Sequence, residues 1–401
     1  MDYINLRPDQ EVNEHGLIYD VGSLYDYLSK IHDPRKAKGK RYALPTLLVL
    51  TVLAKLGGED KPSGIAEWVA NRREELERLQ VLPEGKAPSH MTFRRMLQQV
   101  VDAQELEQML QVFQQSHYQP GSQEVLGMDG KTVRGSIPVG EIRGTHLLAV
   151  YAPKQGLTLA QRPVESKENE IVAAPKVLRQ VRLQGAVVMG DAMHTQREIS
   201  DQIVAAGGDY LWVAKENQPR THWAIEKLFV HEVCNLRQGA PLSQHVHMFS
   251  KVHKQRGRIE KRTLMTSTLL NDYLDWPHVA QVFRLETTTW HTKYRGRTRK
   301  VAYGLTSLSP QQANPARLLA LRRKYWGIES GLHYRRDVTL HEDATRLTVG
   351  ASGHNMATLN NVVIALCMLQ GFRYIPKARR LFCAQPKLAL QLITSAHFPF
   401  L

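Results

Sequence analysis

Apolar residues in roughly the first 120 positions recur at helical spacing and predict a helical region. The segment Leu44–Leu56 is apolar almost throughout, which favours a buried helix. Ser89 precedes the basic segment MTFRRMLQQV, as an N-cap residue would. A helix beginning there is typical of the second element of a helix-turn-helix. A short surface helix in a helical bundle is the alternative.

The pattern changes near Pro120, where a Pro-Gly-Ser turn precedes short apolar runs typical of strands. Three such runs, followed by helix, strand, helix and strand, predict a mixed α/β sheet with helices packed on it. The segment from Gly239 to Pro310 differs because its apolar and polar positions alternate, which predicts antiparallel strands in a β-rich insertion. The predicted organisation is an all-helical N-terminal domain (1–120), an α/β core (121–225 and 311–370), the insertion (226–310) and a C-terminal tail (371–401).

The net charge of the chain indicates what kind of partner the protein binds. The chain has 53 Lys and Arg against 38 Asp and Glu, a formal net charge of +15. Such an excess favours a polyanionic partner, most often nucleic acid, although some basic proteins are merely soluble. Basic residues concentrate in two segments, 284–300 and 317–336. The first contains one acidic residue, Glu286, and the second contains one, Glu329.

Several classes of protein are excluded by what the sequence lacks. Its three cysteines, Cys234, Cys367 and Cys383, are widely separated, which argues against a disulfide framework and a cysteine-based zinc site. No apolar run reaches the roughly 18 residues of a membrane span, and the first residues lack the order of a signal peptide. We therefore expect a cytoplasmic protein without a membrane partner.

Two predicted strands end at aspartates, Asp129 and Asp191. Ligand sites in open α/β sheets gather at the carboxyl ends of strands. Either aspartate alone is more typical of a turn or a helix cap, and Asp191 could cap the helix containing Arg197. Two on one sheet favour a shared site.

The third candidate acid is Glu329, in RRKYWGIESGLHYRRD. In a continuous helix Arg322 and Arg336, seven residues on either side, share its face, and His333 lies one turn on. A surface charge stripe is the alternative, but apolar neighbours make an unpaired glutamate costly there. Three carboxylates suit Mg²⁺ or Mn²⁺, and two such ions can promote cleavage or strand transfer at a phosphodiester.

Longer motifs extend this interpretation. The sequence resembles the H-repeat-associated type of bacterial insertion-sequence transposase over about residues 31–369. The motifs that carry the resemblance are MDGKTVRGS, SKENEIVAAPKVL, GDAMHTQREIS, GGDYLWVAKENQ and YWGIESGLHYRRDVTLHEDATR, with DPRKAKGKRYALPTLLVLTVLA and APSHMTFRRML in the N-terminal region.

The resemblance implies an RNase H-like core of the DDE class, with Asp129, Asp191 and Glu329 as catalytic and metal-binding residues. Two Mg²⁺ (or Mn²⁺) ions are expected, with water attacking the end phosphodiester and the freed 3′-OH then attacking target DNA. The expected partners are double-stranded DNA, as terminal inverted repeats and target, and a second copy in a homodimer. A bacterial, nucleoid-associated location follows. A nuclease without strand transfer and a domesticated, non-catalytic DNA-binding protein are the alternatives.

One motif departs from the wider superfamily, which often shows Y-x2-R-x3-E-x6-K. Here Arg322 stands in the tyrosine place, Tyr325 in the arginine place and Arg336 in the lysine place. The basic residues expected to contact DNA are Lys131, Arg134, Lys215, Arg295, Arg297, Arg322, Arg323, His333 and Arg336. Trp290 is a candidate for stacking on an extruded base, whereas Trp212 and His194 are better explained by core packing and a helix start.

Overall fold

The computed structural model describes residues 6–165, 168–255, 257–291 and 296–398. The first elements of the described residues are a short antiparallel pair of strands, β1 (Gln10–Val12) and β2 (Ile18–Asp20). The prediction of an all-helical N-terminal region is wrong at this point. Gly16, at a φ of 87°, and the Asn13 side chain, which accepts two backbone N–H bonds, close the turn between the strands. A hairpin closed by such turn residues, with strands of only three residues, shows no periodic pattern of apolar residues in the sequence.

Helices then follow to residue 116. Their bounds are α1 (Leu24–Ser29), α2 (Leu44–Leu56), α3 (Pro62–Asn71), α4 (Arg73–Arg78), α5 (His90–Arg95) and α6 (Ala103–Ser116). Helix α2 has the predicted bounds and is buried at nearly every position, as its uniformly apolar sequence requires. Helix α5 begins after Ser89 as predicted, but it spans six residues and runs into a π turn at Met96–Val100.

A mixed sheet forms the centre of the molecule, which confirms the predicted mixed α/β class. Its strands are β3 (Glu124–Thr132), β4 (His146–Ala152), β5 (Leu157–Pro163), β6 (Ala186–Gly190), β7 (Asp209–Ala214), β8 (Val246–Gln255), β9 (Arg258–Ser267), β10 (Gln281–His291) and β11 (Arg297–Thr306). Within the described residues their order is β5-β4-β3-β6-β7-β11-β10-β9-β8. Strands β3, β6 and β7 are parallel, and the remaining pairs are antiparallel. The strands of the β-rich segment therefore extend the core sheet through β11 and β7.

The other helices are α7 (Glu170–Leu178), α8 (Arg197–Ala205), α9 (Pro219–Arg237), α10 (Pro315–Ile328), α11 (Ser352–Leu369), α12 (Ile375–Ala384) and α13 (Pro386–Thr394). Both faces of the central strands are covered. Along β3, Val125 belongs to the hydrophobic cluster that includes α10, whereas Leu126 and Met128 belong to the cluster that includes α7 and α8. This explains why these strands are apolar at successive positions.

The C-terminal segment packs against the N-terminal region. Helix α11 is buried along almost its whole length, and α12 and α13 lie against α2. One hydrophobic cluster joins α1–α6 to α11–α13. Residues 371–398 are thus part of a core shared by the two ends of the chain. Within the described residues, no helix has the length and apolar character needed to cross a bilayer.

Candidate active site

Asp129 and Asp191 lie side by side because β3 and β6 are adjacent and parallel. The last residues paired between these strands are Met128 and Gly190. Each aspartate directly follows its paired residue, on strands about 4.8 Å apart. The prediction that the first of these strands ends at Asp129 is wrong, because antiparallel pairing with β4 continues β3 to Thr132, beyond its apolar run. The pairing of β3 with β6 thus brings together two acids that are 62 positions apart along the chain.

The carboxylate of Asp191 does not cap a helix. Asp191 precedes a 3₁₀ turn at Ala192–His194, and its side chain makes no capping hydrogen bond there. Helix α8, which contains Arg197, has Gln196 as its N-cap residue. The capping alternative therefore does not account for Asp191.

Glu329 reaches the same place from α10, which ends at Ile328. A π turn at Glu329–His333 follows the helix. One carboxylate oxygen from each of Asp129 and Glu329 and one ring nitrogen of His333 lie within 4.8 Å of one another. π turns are rare and often occur at functional sites.

Close packing of α10 on β3 depends on a glycine. A Cβ atom at Gly127 would lie 3.0 Å from Cβ of Ile328, tighter than ordinary van der Waals contact. Gly127 lies two residues before Asp129 in β3, and Ile328 immediately precedes Glu329. The missing side chain therefore allows the approach that brings these two carboxylates together.

Burial and like charge act together on Asp129. Burial, followed by the nearby carboxylates of Asp191 and Glu170, raises the pKa of Asp129 to about 7; Glu329 adds a smaller effect in the same direction. The backbone N–H of Gly130 donates to Asp129 Oδ1 at 3.0 Å and opposes this rise only in part. A buried carboxylate surrounded by other carboxylates favours a divalent cation.

Tyr325 and Arg322 lie beside Asp191. The Tyr325 hydroxyl donates to Asp191 Oδ1 at 3.2 Å, and the Arg322 guanidinium is 5.5 Å from the Tyr325 ring centre. Burial, followed by the charges of Asp129 and Asp191, raises the pKa of Tyr325. Nε and Nη1 of Arg322 are buried without a hydrogen-bond partner among the described residues. The two residues that depart from the superfamily motif thus remain together next to the second aspartate.

Glu170 is a neighbour of the site that the sequence interpretation missed. It begins α7, and its Oε1 accepts a hydrogen bond from His146 Nε2 at 2.9 Å. Its Oε2 lies 3.1 Å from Nε2 of His194, which is fully buried. Burial alone raises the pKa of Glu170, but the two histidines more than offset burial and bring it to about 2. An acid in the first turn of a helix is so common that the sequence gives no further signal.

The basic residues expected to contact DNA occupy different surroundings. Arg134, Lys215, Arg297 and Arg323 are exposed, Arg322 is half-buried, and Arg295 lies outside the described residues. Lys131 and Arg336 are buried: Lys131 Nζ donates to Asp337 at 2.7 Å, and Arg336 donates twice to Glu342 at 2.8 Å. These two charges are neutralised inside the protein.

The expected common face of Arg322, Glu329 and Arg336 is not kept, and that expectation is wrong. Helix α10 ends at Ile328, and the π turns at Glu329–His333 and Arg335–Thr339 change the helical phase. Arg336 consequently contacts Glu342, whereas Arg322 lies near Asp191.

His333 is also buried, at 7% exposure, and its Nδ1 lies 4.0 Å from Asp129 Oδ2. Burial, followed by the charges of Arg336 and Lys131, lowers the pKa of His333 to about 3. Its imidazole is therefore neutral near pH 7.

A basic cleft of about 770 Å³ lies between α10 and strands β8–β11. Its cationic and histidine side chains are His253, Arg258, Arg262, His291, Lys300, Arg322 and Arg323. Trp326, which is 69% exposed, lines the same cleft. On β10, Trp290 is 37% exposed with the Arg297 guanidinium 5.8 Å from its ring centre, whereas Trp212 is fully buried and donates to Ser200.

A mixed sheet with carboxylates clustered on adjacent strands is an arrangement that suits a hard divalent cation. Comparison with known families makes this more specific. A family model described as "Transposase DDE domain" matches residues 117–367, and one described as "DDE_Tnp_1-associated" matches residues 25–114. The chain belongs to the DDE transposase family, as the sequence motifs predict.

Several relatives cover most of the chain. "Putative transposase YncI" of Escherichia coli O157:H7 is 27% identical over 86% of this chain and 87% of its own. "H repeat-associated putative transposase YhhI" of E. coli K12 is 24% identical over 86% of this chain and 90% of its own. An uncharacterised protein from the dhlA 3′ region of Xanthobacter autotrophicus is 32% identical over 62% of this chain and 81% of its own.

Among solved structures, one similar chain comes from a piggyBac transposase synaptic complex with hairpin DNA. Its TM-score is 0.44 at 9% identity, and the match covers 93% of this chain and 77% of that one.

Proposed function

We propose that this transposase cleaves DNA at the ends of an insertion element and joins the freed 3′-OH to target DNA. Asp129, Asp191 and Glu329 are the proposed catalytic residues, and their carboxylates would hold two divalent cations, Mg²⁺ or Mn²⁺. The observation that carries this proposal is the convergence of acids from two parallel strands and a facing helix.

The donor set fits hard divalent cations. It consists of carboxylate oxygens and a nearby imidazole, without cysteine sulfur, and the neighbouring acids raise the cost of ionising Asp129. When bound, such ions activate the attacking oxygen and stabilise the leaving oxygen of a phosphodiester. A pair of ions would also relieve the repulsion that raises the pKa of Asp129.

The surrounding side chains would orient the acids. The Tyr325 hydroxyl holds one oxygen of Asp191 and leaves the other free to bind. Arg322 is half-buried and lines the basic cleft close to Asp191, and a guanidinium there is suited to a phosphate oxygen. This contact would place the scissile phosphate beside the carboxylates.

DNA would follow the basic cleft between α10 and β8–β11. Arg323 and Arg322 line it, while Arg134, Lys215 and Arg297 are exposed and available to backbone phosphates beyond it. Trp290 offers a partly exposed ring on which an unpaired base could stack. Two element ends must be held together for transposition, so we also propose a homodimer, which sedimentation of the protein–DNA complex would test.

The experiment combines purified protein, a labelled end fragment and Mg²⁺ or Mn²⁺. Asp129→Asn, Asp191→Asn and Glu329→Gln are each expected to lower nicking and strand transfer at least about a hundredfold, with DNA binding retained. Asp275→Asn, which changes an exposed aspartate on the loop before β10, is the matched control and is expected to keep full activity.

Full activity in any of the three variants would remove that residue from the catalytic set. Nicking without a joined product in the unaltered protein would instead favour a nuclease without strand transfer.

A further inference from the structure

We propose that His333 supplies a nitrogen ligand to one of the divalent cations. The ion bound between Asp129 and Glu329 would then have mixed oxygen and nitrogen coordination. This inference rests on the proposed function, because it concerns the same cation site.

The distances fit shared ligation better than a hydrogen bond. His333 Nδ1 lies 4.0 Å from Asp129 Oδ2, beyond hydrogen-bond range. Two ligands of one octahedral ion with bonds of about 2.1 Å lie about 3 Å apart when adjacent and about 4 Å apart when opposite. A ring nitrogen of His333 and one oxygen from each of Asp129 and Glu329 all lie within 4.8 Å of one another.

The surroundings of His333 leave little room for another role. The residue is 7% exposed, so it presents little surface to a DNA phosphate. Nδ1, the ring nitrogen that lies nearer Asp129, is the proposed ligand atom. Nε2 is buried and makes no hydrogen bond within the described residues that would turn the ring toward another partner.

The backbone holds His333 in place relative to Glu329. The two residues begin and end the π turn, in which the Tyr334 N–H bonds to the Glu329 carbonyl. Ile328 and Leu332, which flank these positions, are buried and anchor the turn to the core. The imidazole and the carboxylate are therefore presented from one rigid turn.

A nitrogen ligand changes which metal the site prefers. Both Mg²⁺ and Mn²⁺ bind carboxylate oxygens, but Mn²⁺, as a transition-metal ion, accepts an imidazole nitrogen more readily than Mg²⁺ does. We therefore expect this protein to bind Mn²⁺ more tightly than Mg²⁺, with His333 responsible for part of the difference.

The test uses the full chain with Mn²⁺ as the probe and pulsed electron paramagnetic resonance as the readout. We expect ¹⁴N coupling to bound Mn²⁺, replaced by ¹⁵N coupling when histidine is ¹⁵N-labelled. His333→Gln should abolish the coupling and weaken Mn²⁺ binding at least about tenfold. His333→Asp should also abolish the coupling, but should retain more Mn²⁺ affinity because it supplies an oxygen.

The matched control is His194→Gln, which removes a buried histidine that contacts Glu170 and should keep the coupling. Bound Mn²⁺ without ¹⁴N coupling, or coupling that survives in His333→Gln, would overturn the assignment of His333 as a ligand and would leave the proposed function standing. Mn²⁺ binding that is indifferent to Asp129→Asn would instead overturn the proposed function. Should neither His333 variant fold, coupling retained in both His194→Gln and His146→Gln supports the assignment, and its loss in either overturns it.

Discussion

Asp129 is the carboxylate of the site whose pKa is raised by burial and by the neighbouring acids. It is largely buried, and the carboxylates of Asp191, Glu170 and Glu329 all oppose its ionisation. Glu170 is compensated by two histidines, whereas Asp129 receives one backbone N–H bond from Gly130. The folded protein without metal therefore carries an unfavourable charge above neutral pH, which a bound cation would relieve.

A pH-dependent stability follows from this residue. The pKa of Asp129 is about 7 in the folded protein and near 4 when unfolded, so ionisation destabilises the fold. That destabilisation is absent below about pH 4, grows as pH rises and is complete above about pH 7. In denaturant titrations without metal, Asp129→Asn should gain stability relative to the unaltered protein between these pH values, by at most about 4 kcal/mol.

Saturating Mg²⁺ is the control for this prediction, because it should remove the disadvantage of the unaltered protein. If the free energies of unfolding of the two proteins ran parallel from pH 4 to pH 8 without metal, the raised pKa would be contradicted.

At the scale of single residues, the sequence predicted where a residue lies in the fold better than it predicted which side chains that residue contacts. Asp129 and Asp191 could be paired because each directly follows an apolar run typical of a buried strand, although β3 continues past Asp129 to Thr132. Lys131 and Arg336 are basic residues close to the acids in sequence, yet each is buried against a carboxylate contributed by a later segment. Glu170 was missed because its histidine partners come from β4 and from the turn after β6.

At the scale of elements, the contact between α10 and β3 decides whether Glu329 reaches the aspartates. Helix α10 carries Ile328 against Gly127, and the π turn begins at the next residue. A side chain at position 127 would push α10 away from the sheet.

Gly127→Val tests this contact. The added methyl groups should cost about 1–3 kcal/mol of stability and displace Glu329, so nicking should fall more than tenfold while end-DNA binding persists. The assay would run well below the melting temperature of the variant. Gly121→Ala is the matched control, because a Cβ there meets only a Glu124 oxygen at an ordinary 3.5 Å. Unchanged nicking by folded Gly127→Val would contradict the role of the close contact.

The sequence largely predicted which segments form helices and which form strands. It did not predict how those helices and strands pair and pack. The buried helix at Leu44–Leu56 and the alternating strands of residues 246–306 were visible as periodicity. The pairing of β11 with β7 could not be predicted from the sequence, because it is made by backbone hydrogen bonds that depend little on side-chain identity. The π turns after α10 were equally hidden, because a one-residue phase change in a helix leaves the local composition unaltered.

At the scale of the whole molecule, one sheet positions the two aspartates and forms one wall of the basic cleft. The C-terminal helices share a hydrophobic core with the N-terminal helices, so both ends of the chain support this arrangement. A net charge of +15 adds a long-range attraction for DNA to the local contacts in the cleft.

DNA binding should therefore depend steeply on salt. We expect affinity for an end fragment to fall roughly tenfold or more over a few-fold increase in salt, because phosphate contacts release counterions. Arg323→Gln, in the cleft, should reduce the slope of log affinity against log salt by about one. Arg380→Gln, exposed on α12 and outside the cleft, is the control and should leave the slope unchanged. A flat salt response would contradict the basic cleft as the DNA path.

The most direct test of the central claim is anomalous X-ray diffraction from crystals of the protein soaked in Mn²⁺. We predict a manganese peak within about 2.5 Å of carboxylate oxygens from both Asp129 and Glu329, and Asp191 Oδ2 as a ligand of the same or a neighbouring ion. Manganese bound only elsewhere, or an Asp191 carboxylate that contacts no ion, would contradict the account.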